Sequence, residues 1–162
     1  MSFEGFIGNG PAIARLRGIL KRGRPAHAYL FAGTEGVGKK RAALAFAGAL
    51  GATPLLIERP EDKHEILIAQ VREVIRGLSF TSAEPRAVVV DDAHRMSEEA
   101  MNAFLKTLEE PPDRTVLLLV SHVPDRLLGT IRSRCQTVHF GPLPDEQIAA
   151  HARESLGVSA ED

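Results

Sequence analysis

The octapeptide GTEGVGKK, residues 33–40, determines how the rest of the chain is interpreted. It follows a short apolar run, Ala28–Ala32, and precedes a segment rich in Ala and Leu, Arg41–Leu50. A glycine loop between a strand and a helix is the context in which G-x-x-x-x-G-K indicates a phosphate-binding loop. Its backbone N–H groups can point at phosphate oxygens, and the following helix adds its positive end. The residues predicted to form the nucleotide-binding site in this loop are Gly33, Gly36, Gly38, Lys39 and Lys40.

One position departs from this motif. The residue after the lysine is normally Ser or Thr, whose hydroxyl ligates Mg²⁺, but here it is Lys40. An ammonium group cannot ligate a cation, and it places a second positive charge where the metal ion would lie. We therefore expect that the loop can hold an anion, and that binding of ATP and Mg²⁺ is weak if it occurs. In the alternative interpretation the glycines only form a turn that caps a core helix.

The composition is that of one ordinary globular domain. The chain has 162 residues, 44% of them hydrophobic and 25% charged, with a net charge of -1. This balance does not require a nucleic acid or a membrane as partner. We expect a soluble, cytoplasmic protein, because the sequence contains neither a signal peptide nor an apolar run of transmembrane length.

Metal-binding patterns are also absent from the sequence. The single cysteine, Cys135, excludes a disulfide framework and a zinc site built from cysteines. The six histidines form no H-E-x-x-H pair on a helix. The sequence therefore predicts no metal site and no zinc.

Apolar runs alternate with helical periodicities along the chain. The predicted strands are Ala28–Ala32, Pro54–Glu58, Ala87–Val90, Thr115–Val120 and Gln136–Phe140. The predicted helices start near Pro11, Arg41, Leu67, Ser97 and Asp145. Five strands that alternate with helices predict an α/β fold, a three-layer sandwich around a five-stranded parallel sheet.

Polar residues follow two of the buried strands. Asp91 and Asp92 come directly after the third strand, and Ser121 and His122 after the fourth. Ligands of such sheets bind at the carboxyl ends of the strands, so we expect these side chains near the glycine loop. There Asp91 and Asp92 could act on a metal ion and a water molecule, and Ser121 or His122 could contact a terminal phosphate. Alternatively, the two acids only form a turn at the strand end.

Two groups of basic residues are further candidates. Arg132 and Arg134 precede the last strand, and an arginine at such an edge can be donated to the nucleotide of a neighbouring subunit. A surface salt bridge is the alternative. Five more basic residues lie in or just after the first helix, Arg15, Arg17, Lys21, Arg22 and Arg24. They could face DNA or form a solvated surface.

Four segments together carry a resemblance to a known family: HAYLF (27–31), VVVDDAHRM (88–96), NAFLKTLEEPP (102–112) and IRSRC (131–135). In this order, they resemble the AAA+ clamp-loader subunits of the bacterial replicative DNA polymerase. The resemblance extends from about Phe6 to Phe140. It is nearest to the delta-prime subunits of DNA polymerase III, with the gamma/tau subunits second. It implies a P-loop NTPase fold and one nucleotide-binding-type domain over residues 1–162.

The resemblance also implies roles for individual residues. Gly33, Gly38 and Lys39 match the Walker A loop, Asp91 and Asp92 match Walker B, and Ser121 or His122 lies near sensor 1. Arg134 matches the arginine finger, a catalytic residue that acts in trans on the ATP of an adjacent gamma/tau subunit. The implied partners are the gamma/tau and delta subunits, the sliding clamp and, indirectly, primed DNA.

Departures from the family pattern favour the delta-prime type. Lys40 replaces the magnesium ligand, and Asp92 stands where Glu is usual. Both changes fit a subunit that no longer hydrolyses ATP. The alternative is an ATP-hydrolysing gamma/tau-like enzyme that uses Lys39 and Asp91. The four-cysteine zinc module of the family is absent from residues 51–63. We expect residues 142–162 to lead toward a lid, and the lid and collar domains lie outside this chain.

Overall fold

The computed structural model describes residues 3–156 and contains one parallel sheet of five strands. The strands are β1 (Ala28–Gly33), β2 (Thr53–Ile57), β3 (Arg86–Val90), β4 (Thr115–Ser121) and β5 (Gln136–Phe140). Their order across the sheet is β2-β3-β4-β1-β5. Strand β1 therefore lies between β4 and β5, which are the last two strands of the chain. The predicted parallel α/β sheet is confirmed.

Six α-helices accompany the sheet in the described residues. They are α1 (Gly10–Arg22), α2 (Lys39–Ala49), α3 (Ile68–Leu78), α4 (Glu98–Glu109), α5 (Gly129–Arg132) and α6 (Asp145–Leu156). Local chemistry explains several of their ends. The Ser97 hydroxyl accepts a hydrogen bond from the Ala100 N–H at 3.1 Å and so caps α4, which starts where the sequence predicted. Helix α1 ends at Gly23, whose left-handed conformation (φ 67°) lets its N–H reach the carbonyls of Ile19 and Leu20.

The helices cover both faces of the sheet. Alternate strand residues point to opposite faces, so that Ala87 and Val89 pack toward α1 and α2, whereas Val88 and Val90 pack toward α3, α4 and α5. All seven residues of β4 are buried, as is expected of a central strand with helices on both sides. Helix α6 has no buried residue. The three-layer sandwich is thus confirmed.

The structure adds short elements that the sequence analysis did not predict. Residues 93–95 and 124–126 form single 3₁₀ turns, and α5 has only four residues. Elements this short contain too few residues to show a periodicity. Among the described helices, none is long and apolar enough to cross a membrane. The predicted transition toward a lid remains a prediction, and its part from 157 to 162 lies outside the described residues.

Candidate functional site

The glycine loop follows β1 at the carboxyl edge of the sheet. Gly33, Gly36 and Gly38 all have positive φ angles, 151°, 77° and 94°. At Gly33 the space is restricted as well, because a Cβ there would lie 1.9 Å from the backbone carbonyl oxygen of Phe140. The register of the sheet causes this approach, since Gly33 is paired with Phe140 of β5. The loop conformation therefore requires glycine at these positions.

Lys39 and the start of α2 form a positively charged end of this loop. The Lys39 ammonium donates a hydrogen bond to the Thr34 carbonyl at 2.6 Å, which folds the side chain back over the loop. Burial lowers the pKa of Lys39, while Asp92, Asp91 and Glu35 act against this shift. No side chain caps the N-terminus of α2, so its first N–H groups remain available to an anion. The loop thus fits a phosphate group.

Beside the loop lies a cleft of about 330 Å³ between the N-terminal segment and α6. Its walls are mostly apolar and include Ile7, Val37, Leu143 and Ile148, with the backbone of Thr34–Val37 on one side. Apolar clefts of this size next to a few polar groups are typical of small-molecule sites. The cleft therefore has the size and lining of a small-molecule site and lies next to the glycine loop.

Lys40 does not point away into solvent. Its ammonium forms an ion pair with Glu58, which follows β2, and lies 3.8 Å from Asp91 Oδ2. The hydrogen bond with Glu58 is the main reason why the pKa of Lys40 is raised. Burial raises the pKa of Asp91, the Asp92 charge raises it further, and Lys40 counteracts both. The Lys40 ammonium thus lies beside the carboxylate expected to hold Mg²⁺ and offsets part of its charge.

Asp92 faces a different set of side chains. Its Oδ1 lies 3.5 Å from His122 Nδ1, and the rings of His94 and His122 meet edge to face with centroids 4.5 Å apart. His94 is buried, and this burial lowers its pKa. Asp92 and His122 were among the candidates predicted from the sequence, whereas His94 was not. The signal was available in the position of His94 just after the predicted β3, but its pairing with His122 depends on the strand order.

Ser121 lies beneath these residues in the protein interior and contacts His94. It is fully buried, and its hydroxyl forms hydrogen bonds with His94 Nδ1 at 2.9 Å and with the Val123 N–H at 3.0 Å. Direct contact with a bound nucleotide would require these bonds to change. His122, at the end of the same strand, is the more accessible of the two predicted residues. The predicted role of Ser121 in nucleotide binding stays a prediction.

Arg134 lies at the amino ends of the strands, opposite the end that carries the glycine loop. It precedes β5, and the strands are parallel, so it lies at their amino ends, whereas the glycine loop follows the carboxyl end of β1. A strand of six residues spans about 20 Å, more than an arginine side chain can reach. Arg134 contacts Glu109 at 3.2 Å and the Thr130 carbonyl at 2.9 Å, with 38% of the side chain exposed. Arg132 pairs with Asp125 at 3.5 Å.

The five basic residues in or just after α1 are all exposed, but they differ in their contacts. Arg15 donates a hydrogen bond to the Thr137 carbonyl of β5. The remaining four are exposed and form no ion pair within residues 3–156: Arg17, Lys21, Arg22 and Arg24. Both the DNA-binding interpretation and the solvated-surface interpretation therefore remain open.

Comparisons with known proteins agree with this architecture. Residues 51–144 match the family model described as DNA polymerase III, delta subunit. The chain is 35% identical to the DNA polymerase III subunit tau/gamma of Haemophilus influenzae, over 96% of this chain and 26% of that protein. It is 39% identical to the DNA polymerase III subunit delta′ of Pseudomonas aeruginosa, over 70% of this chain and 43% of that protein.

A solved structure gives the same result. The gamma subunit-related protein of DNA polymerase III from Thermotoga maritima superposes with a TM-score of 0.67 at 26% identity, over 86% of this chain and 49% of that chain. The chain thus spans between about a quarter and a half of the length of these relatives. The family match covers more than half of the chain. The chain belongs to the AAA+ clamp-loader subunits of DNA polymerase III.

Proposed function

We propose that this chain is a delta-prime-type clamp-loader subunit that does not hydrolyse ATP and supplies Arg134 to the ATP site of a neighbouring gamma/tau subunit. The observation that carries the proposal is the contact of Lys40 with Glu58 and Asp91. A cation of the chain itself lies beside the carboxylate that would otherwise bind Mg²⁺. Because hydrolysis in this fold class depends on that metal ion, the chain's own site lacks a component that it needs.

The position of Arg134 supports the second part of the proposal. The residue is too far from the chain's own loop to act there, and its guanidinium is partly exposed at the other edge of the sheet. Arg134 is therefore available to a molecule that packs against this edge. In the proposed assembly that molecule is a gamma/tau subunit, and the delta subunit, the sliding clamp and primed DNA are the further partners. The expected location is the cytoplasm.

The test of this proposal uses a clamp loader reconstituted from this protein and its gamma/tau and delta partners. An arginine finger contributes about 10³–10⁵ to the rate of hydrolysis, so Arg134→Ala should lower turnover at the adjacent site by about three orders of magnitude. Total ATPase activity falls by less where other sites keep their own fingers. Arg132→Ala is the matched control, because Arg132 pairs with Asp125 on the same segment. Unchanged turnover with Arg134→Ala would refute the finger role.

A gamma/tau-like ATPase is the second candidate function. The observation in its favour is the 35% identity to a tau/gamma subunit over almost the whole chain. This alternative requires Mg²⁺-dependent ATP turnover by the protein without partners, and loss of that turnover in Lys39→Ala. Absence of turnover in the unmodified protein would exclude it.

A further inference from the structure

Three side chains at the carboxyl edge of the sheet form what we call the histidine cluster: Asp92, His94 and His122. Each offers one potential ligand atom, and these atoms all lie within 4.8 Å of one another. Asp92 and His94 follow β3, and His122 follows β4, the neighbouring strand. The pairing of these two strands thus brings together residues that are far apart in the sequence.

The chemistry of the cluster differs from that of a magnesium site. Mg²⁺ prefers oxygen ligands in octahedral geometry, whereas two imidazoles and one carboxylate suit Zn²⁺ and related transition-metal ions. We propose that the histidine cluster binds one divalent transition-metal ion of the Zn²⁺ class. This site is additional to the proposed clamp-loader role, and it revises the expectation from sequence that the chain has no metal site.

The geometry requires only small side-chain movements. In a tetrahedral Zn²⁺ site with bonds of about 2.0–2.2 Å, the ligand atoms lie about 3.4 Å from one another. The separations in the cluster are at most 4.8 Å, so each would contract by about 1.4 Å or less. The side chains of His122 and Asp92 are 22% and 39% exposed and have room to move. The buried His94 can stay in place as the fixed ligand.

His94 already has the support that metal-binding histidines usually have. Such residues commonly form a hydrogen bond through the ring nitrogen that does not bind the metal, and this bond fixes the ring orientation. Here the Ser121 hydroxyl forms a hydrogen bond with His94 Nδ1 at 2.9 Å. The Val123 N–H donates a hydrogen bond to the same hydroxyl at 3.0 Å. His94 is thus held by a buried hydrogen bond at Nδ1 that fixes the orientation of its ring.

The proposed ion would not compete with Lys40. Lys40 is paired with Glu58 and Asp91, whereas Asp92 faces His122. Three protein ligands leave the fourth position of a tetrahedral ion open to water or to another oxygen donor. The nearby positive charge of Lys39, which interacts with Asp92, opposes cation binding. The imidazole ligands are therefore expected to provide most of the affinity.

The experiment titrates the protein, produced without a histidine tag, with Zn²⁺ in a calorimeter and with Co²⁺ in a spectrophotometer. We expect one ion per chain, visible Co²⁺ absorption typical of a four-coordinate site, and displacement of Co²⁺ by Zn²⁺ but not by Mg²⁺. No binding at one equivalent, or displacement by Mg²⁺ as readily as by Zn²⁺, would overturn the proposal. The edge-to-face contact of the two rings would then be packing alone.

Variants connect the ion to these residues. Asp92→Asn and His122→Ala should each weaken Zn²⁺ binding at least tenfold, and His122→Cys should restore it, since a thiolate also ligates Zn²⁺. His139→Ala is the matched control, because His139 is exposed on β5, which β1 separates from β4. Circular dichroism checks that each variant is folded. Unchanged affinity in both Asp92→Asn and His122→Ala, or an equal loss in His139→Ala, would overturn the assignment. Neither result affects the Arg134 test.

Discussion

The two edges of the sheet hold their positive charges in different ways. At the carboxyl edge, Lys39 folds back onto the Thr34 carbonyl and Lys40 pairs with Glu58 and Asp91. At the amino edge, Arg134 contacts Glu109 on the protein surface, and its guanidinium remains partly exposed. A loop can therefore keep the backbone shape of a nucleotide site while its lysines are engaged by groups of the same chain. Arg134, whose charge is accessible at the amino ends of the strands, can then contribute to catalysis at another site.

The alkylation rate of Cys135, which lies next to Arg134, is the quantity for which we expect the largest change. It follows Arg134 directly and packs against the core on the side of α3, α4 and α5, and burial raises its pKa from 9.0 to about 12. At pH 8 the thiolate fraction in the folded state is then about a thousandfold below that of the unfolded chain. We expect alkylation of the native thiol to be at least about a hundredfold slower than in guanidinium.

The pH dependence sharpens this prediction. Between pH 6 and 8 both labelling rates rise with pH in parallel, so their ratio is constant. Above about pH 9 the thiol of the unfolded chain is mostly thiolate, whereas the native thiol is still largely protonated. The ratio of the unfolded to the native labelling rate therefore falls as the pH rises further. If the native protein were labelled as fast as the unfolded chain, Cys135 would not be packed against the core. Arg134 would then lack the fixed position at the amino ends of the strands that we assign to it.

Lys40→Thr is the next test, and it acts on the carboxyl edge. The substitution removes the ammonium from Asp91 and supplies the hydroxyl that the P-loop motif normally has. In calorimetric titrations we expect ATP to bind the original protein weakly and equally with and without Mg²⁺. The variant should bind ATP about tenfold more tightly with Mg²⁺ than without it, a difference in binding free energy of about 1.4 kcal/mol.

The control for this variant is Lys40→Ala, which removes the charge and adds no hydroxyl. If the alanine and threonine variants respond equally to Mg²⁺, the hydroxyl is irrelevant and the charge alone excludes the ion. If neither responds, the reason for weak metal binding lies outside Lys40.

The smallest expected effect concerns stability. Lys40 and Glu58 form an ion pair, but their side chains are 40% and 47% exposed, and such pairs contribute about 0.2–1 kcal/mol. A double-mutant cycle of Lys40→Ala and Glu58→Ala, measured by urea unfolding, should give a coupling energy in this range. A coupling above about 2 kcal/mol would mean that the pair stabilises the fold itself and does more than occupy the site.

The fold was largely predictable from local patterns. Strands β3 and β4 are buried on both faces, and such strands appear in a sequence as continuous apolar runs. The glycine loop was predictable because its residues are consecutive. Helix α5 was not, because its four residues carry no periodic signal.

The rest of the site depends on strand order, which local patterns do not contain. His94 and His122 meet because β3 and β4 are neighbours. Lys40 contacts Glu58 because β2 ends near the start of α2. The burial of Ser121 likewise followed only from the packing of β4. Such contacts between distant parts of the chain require the topology before they can be predicted.

The position of β1 between β4 and β5 has a consequence for protein synthesis. The glycine loop is translated early, but the neighbours of β1 begin only at Thr115 and Gln136, and Gly33 packs against Phe140. At about 5–20 residues per second, Phe140 follows Gly33 after roughly 5–20 s. Until then the apolar β1 has no partner on the β5 side, and the loop lacks the backbone that confines it. A nascent chain that stops before β4 therefore leaves the apolar β1 without a neighbouring strand on either side.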